Sequence, residues 1–273
     1  MNLTQADFSY VAGLVKQRSS IDLQPGKEYL VESRLMPVAR NSGESDLASL
    51  VARLRRGDEK LTAAVIDAMT TNETSWFRDS HPFEAFTKTL LPQVVQDNRT
   101  GPITVWSAAC SSGQEGYSLA MLLQEWLPTQ PGRTARIIGT DISASMVERA
   151  RAGRYSQLEI NRGLPARYLV KHFEQHGREW QVRESLRSMT RFDVGNLTQP
   201  QSGVSSCDVV FLRNVLIYFD LATKRQVIQN VRRSLRPGGF LVLGGAESAL
   251  SLDDSFRRLE VDKAVVFQHG GAK

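Results

Sequence analysis

The sequence predicts an α/β protein with a mostly parallel sheet, preceded by an all-α N-terminal domain. Three observations carry this reading. In the first 70 residues apolar side chains recur at helical spacing and no run alternates like a half-buried strand. From about residue 100, short apolar runs alternate with helical stretches, the pattern of βαβ units. Residues 154–188 break that alternation and read as a small antiparallel insertion.

In Leu47–Arg56, Leu47, Leu50, Val51 and Leu54 follow i, i+3, i+4, i+7 and form one buried stripe. Asp46 is the expected N-cap and Gly57 the stop. Leu61–Met69 predicts a further helix. Ile103–Trp106 reads as a first strand, followed by a small-residue turn and a helix from Tyr117. Arg136–Gly139 is a second strand, with a helix over Ser143–Arg151. Met189–Val194 and Asp208–Leu212 are the third and fourth, and a helix follows near Leu221–Leu235. Arg236–Gly239 is a turn, Phe240–Leu243 the fifth strand and Ala264–Gln268 a terminal one. Inside the insertion, Trp180 and Val182 alternate with polar neighbours. The expected organisation is a helical domain over 1–75, an interdomain segment over 76–100, and an α/β domain over 101–273.

The chain has 273 residues, 41% hydrophobic and 23% charged, which excludes wholesale disorder. The start, Met1–Asp7, lacks the basic and apolar regions of a leader, so none is expected. The richest apolar run, Val209–Phe219, is broken by Arg213 and Asn214 and is too short to span a membrane. Two distant cysteines, Cys110 and Cys207, fit a reduced cytoplasmic compartment. The net charge is 34 − 29 = +5. It is regional: residues 1–70 hold 9 basic and 9 acidic groups, residues 133–191 hold 12 and 6. A basic patch attracts any anionic partner, an acidic protein face included.

Ligands of open α/β sheets bind beyond the carboxyl ends of the strands. After the first strand comes Ser107-Ala108-Ala109-Cys110-Ser111-Ser112-Gly113-Gln114-Glu115-Gly116, whose small side chains admit a ligand to the backbone. After the second comes Asp141, placed to accept from both hydroxyls of a ribose. After the third comes Asp193-Val194-Gly195-Asn196-Leu197, where an Asn or a backbone amide can meet an adenine edge. Each loop alone is ordinary; the ordered set points to a nucleoside cofactor. A dinucleotide fingerprint needs G-x-G-x-x-G. Only Gly113 and Gly116 are present, and Glu115 disfavours a diphosphate but suits a cation. S-adenosylmethionine, with ribose, adenine and positive charge, fits better than NAD.

Three motifs, Asn72-Glu73-Thr74-Ser75-Trp76-Phe77-Arg78-Asp79, Trp106–Glu115 and Arg213-Asn214-Val215-Leu216-Ile217-Tyr218-Phe219, occur in this order. Over nearly the whole chain the sequence resembles the CheR-type chemotaxis receptor glutamate O-methyltransferases. The resemblance implies a Rossmann-like class I S-adenosylmethionine-dependent methyltransferase domain, with a small antiparallel β subdomain inserted and an all-α domain before it. It implies cofactor contacts from Asn72, Thr74, Arg78, Glu115, Asp141, Asn196, Leu197, Leu212 and Arg213. The activity implied is transfer of methyl from S-adenosylmethionine to receptor glutamates, leaving S-adenosylhomocysteine. Two departures stand out. The family often has a His-Ser-Glu-Asn-like segment where this chain has Gly244-Gly245-Ala246-Glu247-Ser248, and the Glu174–Trp180 turn is short. A longer turn accompanies binding of a receptor C-terminal peptide tether in some members, so no tether is expected here.

Carboxylate methylation needs no general base, because a glutamate is already ionised at pH 7. The carboxylate must be desolvated and held in line with the S–CH₃ bond at roughly 3–3.5 Å. Arg78, with paired N–H groups, and Tyr218, with one O–H, are the candidates for orienting it. Around the Leu47–Leu54 stripe, Arg53 and Arg56 fall on the opposite face and Arg55 on its flank. These three are the expected docking cations for the cytoplasmic helical region of a transmembrane receptor. His172 and His176 stand at i, i+4, but no third ligand accompanies them and no metal is expected. Methylation of RNA or another anionic substrate is the alternative; the segment after the fourth strand, Arg213-Asn214-Val215-Leu216, lacks the prolines of base-methylating enzymes. A monomer associated with receptor arrays, without membrane insertion or nucleic acid, is the expectation.

Overall fold

The computed structural model describes residues 3–97, 101–261 and 263–270, in two compact units. Positions 1–2 and 98–100, at the start of the expected helical domain and the end of the expected interdomain segment, lie outside the described residues.

The first unit comprises residues 1–71 together with Tyr218–Thr223. Its helices are α1 (Gln5–Ser19), α2 (Glu28–Asn41), α3 (Leu47–Arg55) and α4 (Glu59–Met69). Their buried faces, among them Val11, Val15, Val31, Leu35, Leu50 and Val65, form one core. Asp46 caps α3 as its sequence predicts, in a reciprocal box with Ser49, and Gly57 just beyond the helix takes φ +81°. Arg34 closes the far end of α4 by donating to the Met69 and Thr70 carbonyls at 2.7 and 3.0 Å. Within the same unit the Asp22 N–H donates to the Tyr218 carbonyl, and the Lys16 ammonium lies 2.9 Å from the Asp220 carboxylate.

The second unit spans 72–217 and 224–273. It opens with α5 (His81–Ala85), a wide turn over Phe86–Leu90, and α6 (Leu91–Asp97). Then come β1 (Ile103–Ala108), α7 (Gln114–Trp126), β2 (Ala135–Asp141) and α8 (Ala144–Ala152). The insertion holds β3 (Arg154–Ser156), α9 (Gln157–Ile160), α10 (Ala166–His172), β4 (Phe173–His176), β5 (Glu179–Val182) and α11 (Glu184–Arg187). The main sheet resumes with β6 (Thr190–Val194), β7 (Cys207–Leu212), α12 (Leu221–Ser234), β8 (Leu235–Leu243), β9 (Phe256–Val261) and β10 (Ala264–His269).

The seven-stranded sheet runs β6-β2-β1-β7-β8-β10-β9, and the insertion forms a separate antiparallel sheet β3-β5-β4. β6, β2, β1, β7 and β8 are mutually parallel; β10 is antiparallel to both neighbours. The central β1 and β7 are buried at every residue, as parallel strands covered on both faces must be.

The structure departs from the sequence reading in three places. The 236–239 turn is a loop inside β8: Cys207 pairs with Leu235 and Val209 with Phe240, so four residues bulge opposite one. β9 is unforeseen, because only its ends, Phe256 and Val261, are buried while Arg257 and Arg258 face solvent. The i, i+4 histidines do not share a helix face, because α10 ends at His172 and Phe173 starts a strand. His172 is buried, and His176 is exposed beside Glu174.

Candidate cofactor and methyl-transfer site

The chain leaves β1 for β2 and β6 on one side and returns to β7 and β8 on the other. β1 and β7 therefore flank the switch point of the sheet, where such folds bind ligands. Register aligns the strand ends there. Ala108 lies opposite both Thr140 and Leu212, and Asp141 opposite Val194. The three predicted loops thus emerge along one rim.

The loop after β1 is tightly wound. Ala109, Ser111 and Gly113 have φ of +63°, +49° and +95°. For non-glycine residues this conformation costs about 1–3 kcal/mol and persists only where the surroundings impose it. Tyr155 supplies part of that support by donating to the Ser112 carbonyl at 2.6 Å. A Cβ on Gly113 would come within 2.9 Å of the Ala150 Cβ. Asp141 is held by both neighbouring loops: its Oδ2 accepts from Ser111 N–H at 2.8 Å and its Oδ1 from Ser143 N–H at 2.9 Å. A fixed, buried carboxylate beside a glycine-and-serine turn is the donor–acceptor set a ribose requires. No phosphate-binding glycine fingerprint accompanies it, so the residues fit a nucleoside without a pyrophosphate.

Glu115 is not a solitary anion. It accepts from Ser107 Oγ at 2.8 Å and from Arg213 Nη1 at 2.9 Å. Arg213, only 2% exposed, also donates through Nη2 to Asp79 and to the Arg78 carbonyl, both at 2.8 Å. Arg213 thereby clamps the first turn of α7 and the loop after β7 to the 72–79 segment. That segment is bound along its length to the rest of the second unit. Ser111 Oγ donates to the Asn72 carbonyl, Trp76 Nε1 to the Glu159 carbonyl, and Phe77 N–H to Ser118 Oγ. Phe77, Asp79 and Ser80 all have positive φ.

Arg78 donates through Nη1 to the Glu73 carbonyl at 3.1 Å. The two carboxylates that flank it in sequence are engaged elsewhere, Asp79 by Arg213 and Glu73 by Arg162. Thr74 is half-buried in the same segment. Asn196 Oδ1 accepts from both the N–H and the hydroxyl of Thr198, so it shapes its own turn. Leu197 is 8% exposed and its carbonyl accepts from Asn230, while Leu212 is fully buried. Tyr218 belongs with the helical unit and is not among the residues the second unit brings together. Burial and the nearby Asp141 and Glu115 charges push the Cys110 thiol well above its ordinary range, so it is no nucleophile.

The three arginines of α3 differ. Arg53 donates to Asp58, Glu44 and the Ser42 carbonyl, tying the helix to both its neighbours. Arg55 pairs with Asp7 and lies 4.3 Å over the Tyr10 ring. Arg56 is exposed. Sequence reading assigned no role to Glu247, a buried carboxylate beyond β8 that accepts four backbone N–H groups.

A parallel sheet of this order, with an acidic residue ending its second strand and a glycine-poor nucleoside loop after its first, defines a class I S-adenosylmethionine-dependent methyltransferase domain. Residues 72–265 match the family model "CheR methyltransferase, SAM binding domain", and residues 6–70 match "CheR methyltransferase, all-alpha domain". The chain belongs to the CheR methyltransferase family. It is 37% identical over 272 residues to chemotaxis protein methyltransferase 1 of Pseudomonas aeruginosa, covering 98% of this chain and 99% of that one. It is 36% identical over 275 residues to chemotaxis protein methyltransferase Cher2 of Pseudomonas putida, covering 98% and 99%. With the chemotaxis protein methyltransferase of Escherichia coli it shares 33% identity over 259 residues, 93% and 88% of the two chains.

Proposed function

We propose that the chain methylates glutamate side-chain carboxylates of chemoreceptor proteins, forming the methyl esters of chemotaxis adaptation. When bound, S-adenosylmethionine supplies an electrophilic methyl group. Asp141 holds the ribose, and Asn72, Thr74, the Asn196–Leu197 turn and Leu212 line the nucleoside. Arg213 neutralises Glu115 and fixes the backbone of Arg78.

The observation that carries the carboxylate reading is Arg78. Its neighbouring acids are taken by other cations, so its guanidinium can present paired N–H groups to an incoming carboxylate. Such a donor orients the nucleophilic oxygen and helps displace its water without removing a proton.

Receptor docking falls to the basic end of α3. Arg56 and Arg55 meet the acidic cytoplasmic helices of the receptor, and Arg53 holds the helix end that presents them. Arg56→Glu raises KM for receptor while leaving KM for the cofactor unchanged; an unchanged receptor KM would refute this docking role. The two-residue turn Gly177-Arg178 between β4 and β5 supports a chain that works without a receptor peptide tether. No helix among the described residues is long and apolar enough to cross a membrane. We take the enzyme to act as a monomer in the cytoplasm, at the receptor arrays.

The test is transfer of labelled methyl from S-adenosylmethionine to receptor-containing membranes and, separately, to RNA. Base-labile label in receptor supports the reading. Base-stable label in RNA overturns it.

A further inference from the structure

Glu247 is 7% exposed and lies four residues beyond the end of β8. Its carboxylate accepts four backbone N–H groups. Oε2 takes those of Asn214 and Gly244, each at 2.8 Å. Oε1 takes those of Val215 and Leu216 at 2.9 and 2.8 Å. The three loop donors converge because Asn214 has φ of +57°, which turns successive amides to one side as an anion-binding nest does. The anion in this nest is part of the chain.

Gly244 completes the cage. A Cβ there would lie 2.7 Å from Glu247 Oε2 and 2.9 Å from Asn214 Nδ2. Only glycine lets the two loops approach this closely.

These four bonds do not hold the sheet together. β7 and β8 are already joined by their own ladder up to Leu212 and Leu243. Glu247 bonds what comes after: the loop that begins with Arg213, whose guanidinium clamps Glu115 and the Arg78 carbonyl. We propose that Glu247 is a positioning residue for methyl transfer, a fixed internal anion that sets the Arg213–Leu216 loop and through it the Arg78 backbone. The inference rests on the methyltransferase reading of the site.

The chemistry needs a carboxylate. An ionised one accepts at every lone pair, whereas a glutamine accepts at one end and turns an NH₂ towards two N–H donors at the other. The Asp141 network shares no described bond with Glu247, so cofactor binding is largely spared.

The experiment uses the full chain and receptor membranes, with the wild type measured first. A wild type that transfers no methyl sinks the activity reading itself, and the inference with it. With an active wild type, Glu247→Gln lowers kcat at least tenfold while the dissociation constant for S-adenosylmethionine shifts less than threefold. Gly244→Ala, which drives a methyl into the same cage, gives the same split. Amide exchange at 214–216 speeds up in Glu247→Gln while the β7 amides keep their protection. A smaller loss of kcat in a folded variant, or an equal loss of cofactor affinity, overturns the proposal. If Glu247→Gln fails to fold, Gly244→Ala decides; if neither folds, Glu247 is a folding residue and the positioning role is rejected.

Discussion

Arg213 carries more of the site than any other side chain, because its guanidinium meets Glu115, Asp79 and the Arg78 carbonyl at once. Removing one partner of a buried ion pair costs about 3–5 kcal/mol, since the other charge is left unsatisfied. Arg213→Met is therefore expected to lower unfolding stability by about that amount, measured by denaturant titration. Arg78 is different: it is partly exposed and holds little together. Arg78→Ala should leave the circular dichroism unchanged and lower kcat by about a hundredfold or more, the scale seen when one oriented donor is lost. Near-wild-type turnover would remove Arg78 from the mechanism. Burial pushes the Cys207 thiol up to about 12 and raises Cys110 as well. Neither should react with iodoacetamide at pH 8 in the native protein, and both should react after unfolding. At this scale the sequence shows Arg78 and Asp141, because each sits in a local motif. It hides the clamp and the cage, whose partners lie 98 and 33 residues away.

Among the elements, α3 was legible to within a residue, since a stripe, an N-cap and a glycine stop are all local signals, and α4 to within two at its start. Their stability has a pH dependence with a definite sign. Backbone N–H groups of Ser49 and Leu61 hold the Asp46 and Asp58 carboxyls below their ordinary values, with Arg53 adding to Asp58. A depressed value in the folded state means full stabilisation above the unfolded value of 3.8 and loss as pH falls through the folded one. Asp58→Ala should thus lower the melting midpoint at pH 7, and the gap to wild type should narrow below about pH 3. An equal gap at both pH values would contradict the linkage. Leu50, fully buried between the helices, is expected to cost about 2–5 kcal/mol on truncation to alanine, read from denaturant unfolding. β9 and the β8 bulge escaped sequence reading for a physical reason. An edge strand with arginines outward lacks strict alternation, and Arg-Pro-Gly-Gly signals a turn whether the chain reverses there or loops out of a strand.

At the scale of the whole molecule, the surplus of positive charge is largely matched where it sits. In the 133–191 region Arg149 pairs with Glu159, Arg151 with Glu148 and Asp193, Lys171 with Glu125, and Arg183 with Glu174. The arithmetic of net charge registered the excess of arginines but not these pairs, most of which form between elements. A net charge of +5 is therefore a weak guide to partners, and the two family domains and the site chemistry are a stronger one. The product of the reaction is a methyl ester on a receptor glutamate. The most direct measurement is mass spectrometry of peptides from receptor incubated with the chain and S-adenosylmethionine. The expected result is a single-methyl mass increase on glutamates of the cytoplasmic helical region, removed by mild base. Methyl groups on lysine, arginine or nucleobases, stable to base, with unmodified glutamates, would contradict it.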